Sequence, residues 1–211
     1  MEYLDLYKAA TDWIESRLKA EKEIVAVPFK YLKDILEKSV AWIEAINVYP
    51  IKCEEGDPLG HYELHGNRES RWDDDDAWVV LITYDQDLDD DNTTDNERLV
   101  WTKELMHVFD TRDGQICDKD RLQPFLSEIE SPPFHDDRST SYLTENAAAW
   151  KALLVLCPKK FRDEQKAKYD AGDITEYDVA AYFRIPYDVV KFLFSLGYDK
   201  AHRRFIDDDD T

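Results

Sequence analysis

Arg98-Leu99-Val100-Trp101-Thr102-Lys103-Glu104-Leu105-Met106-His107-Val108-Phe109-Asp110 is the stretch on which the reading of this chain turns. Leu99, Trp101, Met106 and Phe109 supply apolar surface. Glu104 and His107 stand one helical turn apart on a shared face, so the stretch is predicted to be a single amphipathic helix. Ahead of it, Thr94-x-x-Glu97 has the spacing of a capping box, which satisfies the free amides of a helix start. Glu-x-x-His on one helix face is part of a larger arrangement, His-Glu-x-x-His, in which two imidazoles grip zinc and the Glu polarises the attacking water. Here the slot of the first imidazole holds Lys103, whose ammonium has three donors and no lone pair to give a metal.

Towards the N-terminus, Ala77 to Tyr84 (AWVVLITY) is the best strand of the chain, β-branched and aromatic without a breaker. Its unbroken apolar character predicts a central strand covered on both faces. His61-Tyr62-Glu63-Leu64-His65 alternates as a short strand, which places His61, Glu63 and His65 on one side. That side reads either as a metal face or, preferably, as the solvent-facing side of a hairpin. Residues 2 to about 23 and Pro28 to Asn47 carry apolar residues at helical spacing and predict two helices. Asp85 to Asn96 is rich in carboxylates. An EF-hand loop needs Gly at its sixth position and Glu at its twelfth, and these hold Asp90 and Asn96, so a polar loop feeding a helix N-terminus is the better account.

Towards the C-terminus, Thr111-Arg112-Asp113-Gly114 breaks the central helix, residues 119 to 130 predict a short helix, and 131 to 135 an extended loop that includes His135. Tyr142 to Leu156 predicts a strong helix, capped by Ser141 or Thr144 and ended by Cys157-Pro158. A helix over Lys160 to Ala171 stops at Gly172. Two short helices follow around Arg184-Ile185-Pro186, and Asp207 to Asp210 reads as a disordered acidic tail.

The 211 residues are 43% hydrophobic and 13% aromatic, which describes a globular chain with a core, and the net charge of -20 disfavours a phosphate backbone as partner. Cys53, Cys117 and Cys157 are scattered and odd in number, so neither a zinc knuckle nor a disulfide framework is expected. The acidic N-terminus lacks a signal sequence and no apolar run is long enough to span a bilayer, so a cytoplasmic protein is expected. Gly-rich phosphate and dinucleotide fingerprints and a serine-nucleophile elbow are absent.

Three segments, in order, resemble the ImmA/IrrE family of zinc peptidase-like proteins. Arg98 to Val108 resembles the family's Arg-Phe-Thr-x-Ala-His-Glu-Leu-Gly-His helix. Glu145 to Pro158 resembles the segment that supplies the third zinc ligand and ends in Leu-Leu-Met-Pro. Asp178 to Pro186, followed by Val189, Val190 and Leu196-Gly197, resembles the family's last pair of helices. The resemblance covers residues 78 to 198. It implies regulation in phage, mobile-element or stress settings, often by cleavage of a repressor, and it implies that the last helices do not read DNA.

The chain departs from this pattern at the metal site. Lys103 stands in place of the first zinc ligand, Glu104 matches the general base and His107 the second ligand. The third ligand falls on Ala147 by ungapped counting or on Glu145 with a shift, and two residues lie about 200° apart around a helix, so only one of them can face the site. The Lys103 ammonium is expected either to pair with Glu104 or Glu145 in a partly buried cluster or to point to solvent. Asp110 is an extra ligand or the partner that orients His107. A carboxylate-bridged di-metal site of the Glu-x-x-His kind lacks its second such pair.

The reading is therefore an α+β, mainly helical, zincin-like domain with a small central sheet. An N-terminal helical segment (1–50) packs on a peptidase-like domain (51–206), followed by a tail (207–211). Its expected function is a catalytically inactive, regulatory protein-binding module with no cofactor. The first alternative is an active metallopeptidase that takes zinc through Glu104, His107, Glu145 and a histidine from 61, 65 or 135, and cleaves a repressor-type partner. The second is an acidic antagonist of a basic nucleic-acid-binding protein. No direct nucleic-acid or membrane partner is expected.

Overall fold

A computed structural model describes residues 1–21, 26–51, 60–66, 78–85, 93–110 and 140–207. Over these the chain is α+β and mainly helical, with one small mixed sheet. Expectations for the Asp-rich loop at 86–92, for 111–135 with Cys117 and His135, for Cys53 and for the tail beyond Asp207 fall outside the described residues.

Helix α1 (Tyr3–Lys19) buries Leu6, Ala10 and Ile14 along one stripe. Helix α2 (Phe29–Ser39) starts behind Pro28 and buries Leu32 and Leu36. It ends eight residues short of the expected Asn47. Val40 turns extended (φ -100°, ψ 103°), and Ile43–Ile51 forms strand β1. Ile43, Ile46 and Val48 suit either a helix or a strand locally. Partnership decides, because Ile46 lies opposite Val80 and Val48 opposite Ile82 in a parallel ladder with β3 (Trp78–Asp85). A domain boundary after residue 50 would cut through this strand, so β1 belongs with the sheet.

Strand β2 (Gly60–Gly66) runs antiparallel to β3, giving the order β1-β3-β2 with β3 in the centre as expected. Tyr62 faces Ile82 and Leu64 faces Val80 across the ladder, so Ile46, Val80, Leu64, Val48, Ile82 and Tyr62 share one face. On β3 that face is fully buried at Val80 and Ile82. Val79, Leu81 and Thr83 on the other face are only half-buried, so full cover on both sides of β3 is not what the fold provides.

Helix α3 (Thr93–Met106) packs on β2, β3 and, most extensively, on α4 (Thr140–Leu156). Thr94 falls inside its first turn, one residue past the start. Between the sheet and α4, the helix is buried almost all round: Leu99, Leu105 and Met106 are covered, and so are Arg98, Thr102, Lys103 and Glu104. From Arg98 onward it is not amphipathic in the sense of having a wet face; Arg98, Thr102, Lys103 and Glu104 are met by other protein groups. A 3₁₀ turn, His107–Phe109, replaces its expected last turn.

Helices α5 (Lys159–Asp170), α6 (Glu176–Phe183), α7 (Val190–Leu193) and α8 (Leu196–His202) close the fold, with a 3₁₀ turn at Tyr187–Val189 and a π turn at Arg203–Asp207. Thr175 caps α6 through its hydroxyl, and Arg184 ends it in the left-handed region (φ 53°). One hydrophobic core runs from Tyr3 to Ile206, so the N-terminal helices are part of it. Among the described residues no helix is long and apolar enough to cross a membrane.

Candidate functional site

Lys103 and Glu104 sit in the last turn of α3 and His107 opens the 3₁₀ turn, while Glu145 looks across from the first half of α4. The Lys103 ammonium does not reach solvent: its side chain is 7% exposed. Nζ donates to Glu145 Oε2 and lies 3.3 Å from Glu104 Oε1. His107 Nε2 lies 3.5 Å from Glu145 Oε1 and 3.8 Å from Glu104 Oε2. Each carboxylate thus faces both an ammonium and an imidazole.

On the far side of the ring, His107 Nδ1 meets Asp110 Oδ2 at 2.6 Å. Asp110 can reach back because the helix ends at Met106, and its own extended backbone (φ -79°, ψ 149°) turns the carboxylate towards the imidazole. Of the two roles expected for Asp110, it fills that of the orienting partner. Its other oxygen lies 3.6 Å from Lys151 Nζ, further along α4 than Glu145. The Lys151 ammonium also lies 5.9 Å from the Tyr3 ring centroid and 5.5 Å from that of Phe205, and Tyr3 donates to the Lys151 carbonyl at 2.8 Å. A buried network therefore runs from Lys103 to Lys151, with cationic side chains and carboxylates interleaved along it.

The network sets protonation. Burial works against charge on His107, but the Asp110 hydrogen bond, then Glu145 and Glu104, outweigh it and push the imidazole up to about 10. Burial would raise Glu145, yet the Lys103 charge and the His107 imidazolium hold it well below the usual carboxylate range. At neutral pH the His107 imidazole is therefore protonated and Glu145 ionised.

These residues do not fit a zinc centre. Lys103 offers no lone pair, and its ammonium already takes the carboxylates of Glu104 and Glu145, where a metal would have to sit. A metal-bound imidazole must also shed the proton that this site stabilises. Of the two residues expected as rivals on α4, Glu145 is the one that meets Lys103 and His107. Among the described residues no group of three or more His, Cys, Asp or Glu side chains is arranged to hold a metal. From β2, Tyr62 packs its ring on His107, at 5.7 Å between centroids. Of the histidines expected as substitutes, the side chains of His61 and His65 and the whole of His135 lie outside what the structure describes.

Arg98 has a role that its place in the motif did not disclose. Its guanidinium, 7% exposed, donates from Nε (3.0 Å) and Nη2 (2.7 Å) to the Val27 carbonyl, and from Nη1 to the carbonyls of Phe183 (2.8 Å) and Arg184. The fork ties the α1–α2 connection to the C-terminus of α6, whose last carbonyls carry partial negative charge. Burial pulls its pKa down to about 10, so it remains charged at neutral pH. Lys151 was also missed. The signal was present, a lone ammonium in the apolar run Ala147 to Leu156, because such a charge must find a partner.

At the outer edge of β1 the Ile46 amide is occupied by Glu37 Oε1 at 2.7 Å, which Lys33 Nζ also meets at 2.7 Å. The shallow groove of about 420 Å³ beside it, bordered by Lys30, Asn47 and Tyr49, is lined by none of the network's residues.

No protein-family model matches the chain, and no curated protein matches it.

Proposed function

We propose that the chain is a catalytically inactive relative of the ImmA/IrrE-type zinc peptidase-like proteins, working in the cytoplasm as a regulatory protein-binding module. The observation that carries this reading is the buried Lys103 ammonium, held by Glu104 and Glu145 at the position of the first zinc ligand. A site filled by its own side-chain cation has no open coordination position at which to polarise water or a peptide carbonyl. What remains useful is the scaffold, and a net charge of -20 suits it to a partner with a basic surface.

The test is metal stoichiometry on untagged protein, purified without chelator and again after incubation with zinc, with Glu104→Gln and His107→Ala alongside. The expected outcome is no stoichiometric zinc in any sample. About one zinc per chain, lost in the His107 variant, would sink the proposal in favour of an active peptidase with an unorthodox ligand set.

A further inference from the structure

We propose that the stacked pair Tyr177 and Tyr187 is the docking point for an arginine side chain of a basic partner protein; this rests on reading the chain as a protein-binding module and names the chemistry of what it binds. Tyr177 is 69% exposed, the most exposed aromatic side chain among the described residues. It is nevertheless held in place. Its ring lies 4.3 Å from that of Tyr187 at an interplanar angle of 18°, a face-to-face stack. Tyr187 in turn stands beside Glu176, whose carboxylate holds the phenol above its ordinary range. Glu176 also accepts from the Tyr169 hydroxyl at 3.3 Å. The Glu176 carboxylate is thus anchored by Tyr169 and acts on Tyr187, whose ring carries the exposed ring of Tyr177.

A single exposed aromatic residue is ordinary on a protein surface. A pre-stacked pair is different, because the entropy of ordering the rings has been spent before any partner arrives. The chemistry nearby selects the ligand. The carboxylates of Glu176 and Asp188 act on Tyr187, Asp178 caps the start of the same helix through Thr175, and the whole chain is at -20. An aromatic face rimmed by carboxylates attracts a cation. A guanidinium is planar, can stack on a ring and can donate to a carboxylate at the same time, which a strongly hydrated ammonium does poorly. An apolar partner would leave the flanking carboxylates desolvated without a counter-charge.

The experiment uses the full chain and two capped, fluorescently labelled nonapeptides, one alternating Arg and Gly, the other Lys and Gly. They carry equal charge, so diffuse attraction to an acidic protein is the same for both. Anisotropy titrations are run at about 150 mM salt, where the Debye length is about 8 Å and long-range attraction is damped. The arginine peptide should bind about tenfold more tightly than the lysine peptide. Tyr177→Ala should remove that gap, and Tyr177→Phe should keep it. Equal binding of both peptides, a gap that survives Tyr177→Ala, or no binding of either would overturn the proposal. So would sedimentation showing a dimer that Tyr177→Ala dissolves, because the stack would then be covered by a second copy. The zinc measurement is independent of all of these, so the docking point and the pseudoenzyme reading can fail separately.

Discussion

Lys103→Ala should destabilise this protein, because its ammonium is buried between two carboxylates. The side chains of Lys103 and Glu104 are 7% and 4% exposed and that of Glu145 is 20% exposed, so deleting the ammonium strands two largely buried carboxylates. Breaking a buried ion pair in this way costs about 3–5 kcal/mol. The lower end applies here, because the His107 imidazolium remains 3.5 Å from Glu145 and still offsets part of the charge. For a chain of this size each kcal/mol moves the melting temperature by about 2–4 °C, so a fall of roughly 6–12 °C is expected. The assay is thermal and urea denaturation near pH 6, with a double-mutant cycle of Lys103→Met and Glu145→Gln. Removing both partners should cost less than the sum of the single losses, with a coupling of at least about 1 kcal/mol. A Lys103→Ala melt within about 1 °C of the parent, or strictly additive variants, would refute the buried-network account.

The same network sets a pH window. Glu145, depressed from 4.5, contributes stability that is present above that value and lost as the pH falls, while His107, raised from 6.5 to about 10, contributes fully below 6.5 and loses its contribution as the pH rises through about 10. Melting temperature against pH should therefore peak between about 4.5 and 6.5, and His107→Gln should flatten the alkaline limb. Arg98→Met should cost about 3 kcal/mol by leaving the carbonyls of Val27, Phe183 and Arg184 without their buried donor, and Arg98→Lys should recover little because an ammonium cannot span both sites; an Arg98→Lys variant as stable in urea as the parent would contradict the clamp. Gly197→Ala would place a methyl 2.8 Å and 2.9 Å from the buried Trp150 ring, so a loss of about 1–3 kcal/mol is expected with a shift in tryptophan emission, and a neutral substitution would show that α8 can retreat from α4.

Most of the helices were legible locally. Leu6, Ala10 and Ile14, and Leu32 and Leu36, repeat at a spacing that only a helix puts on one side, and the Pro158 and Gly172 stops fall where the helices end. The strand Trp78–Asp85 announced itself by composition. Ile43 to Ile51 did not, because its apolar spacing serves a helix and a strand alike, and it becomes a strand only because β3 offers it a ladder.

The site divides the same way. Sequence alone determined that Lys103 and Glu104 stand near the end of one helix with His107 a turn beyond, and that Lys103 has no lone pair to give a metal, since these depend on residue identity and on a period of about 3.6 residues, although His107 itself opens the 3₁₀ turn that follows α3. It left Lys103 between solvent and a buried pair, and left Glu145 and Ala147 as rivals. Tertiary structure decided both, because the rotation of α4 against α3 brings Glu145 to the ammonium and seals it from water, and Asp110 to His107 from the turn beyond. Whether a charge is buried, and what meets it there, depends on how distant elements pack, and no local pattern carries that.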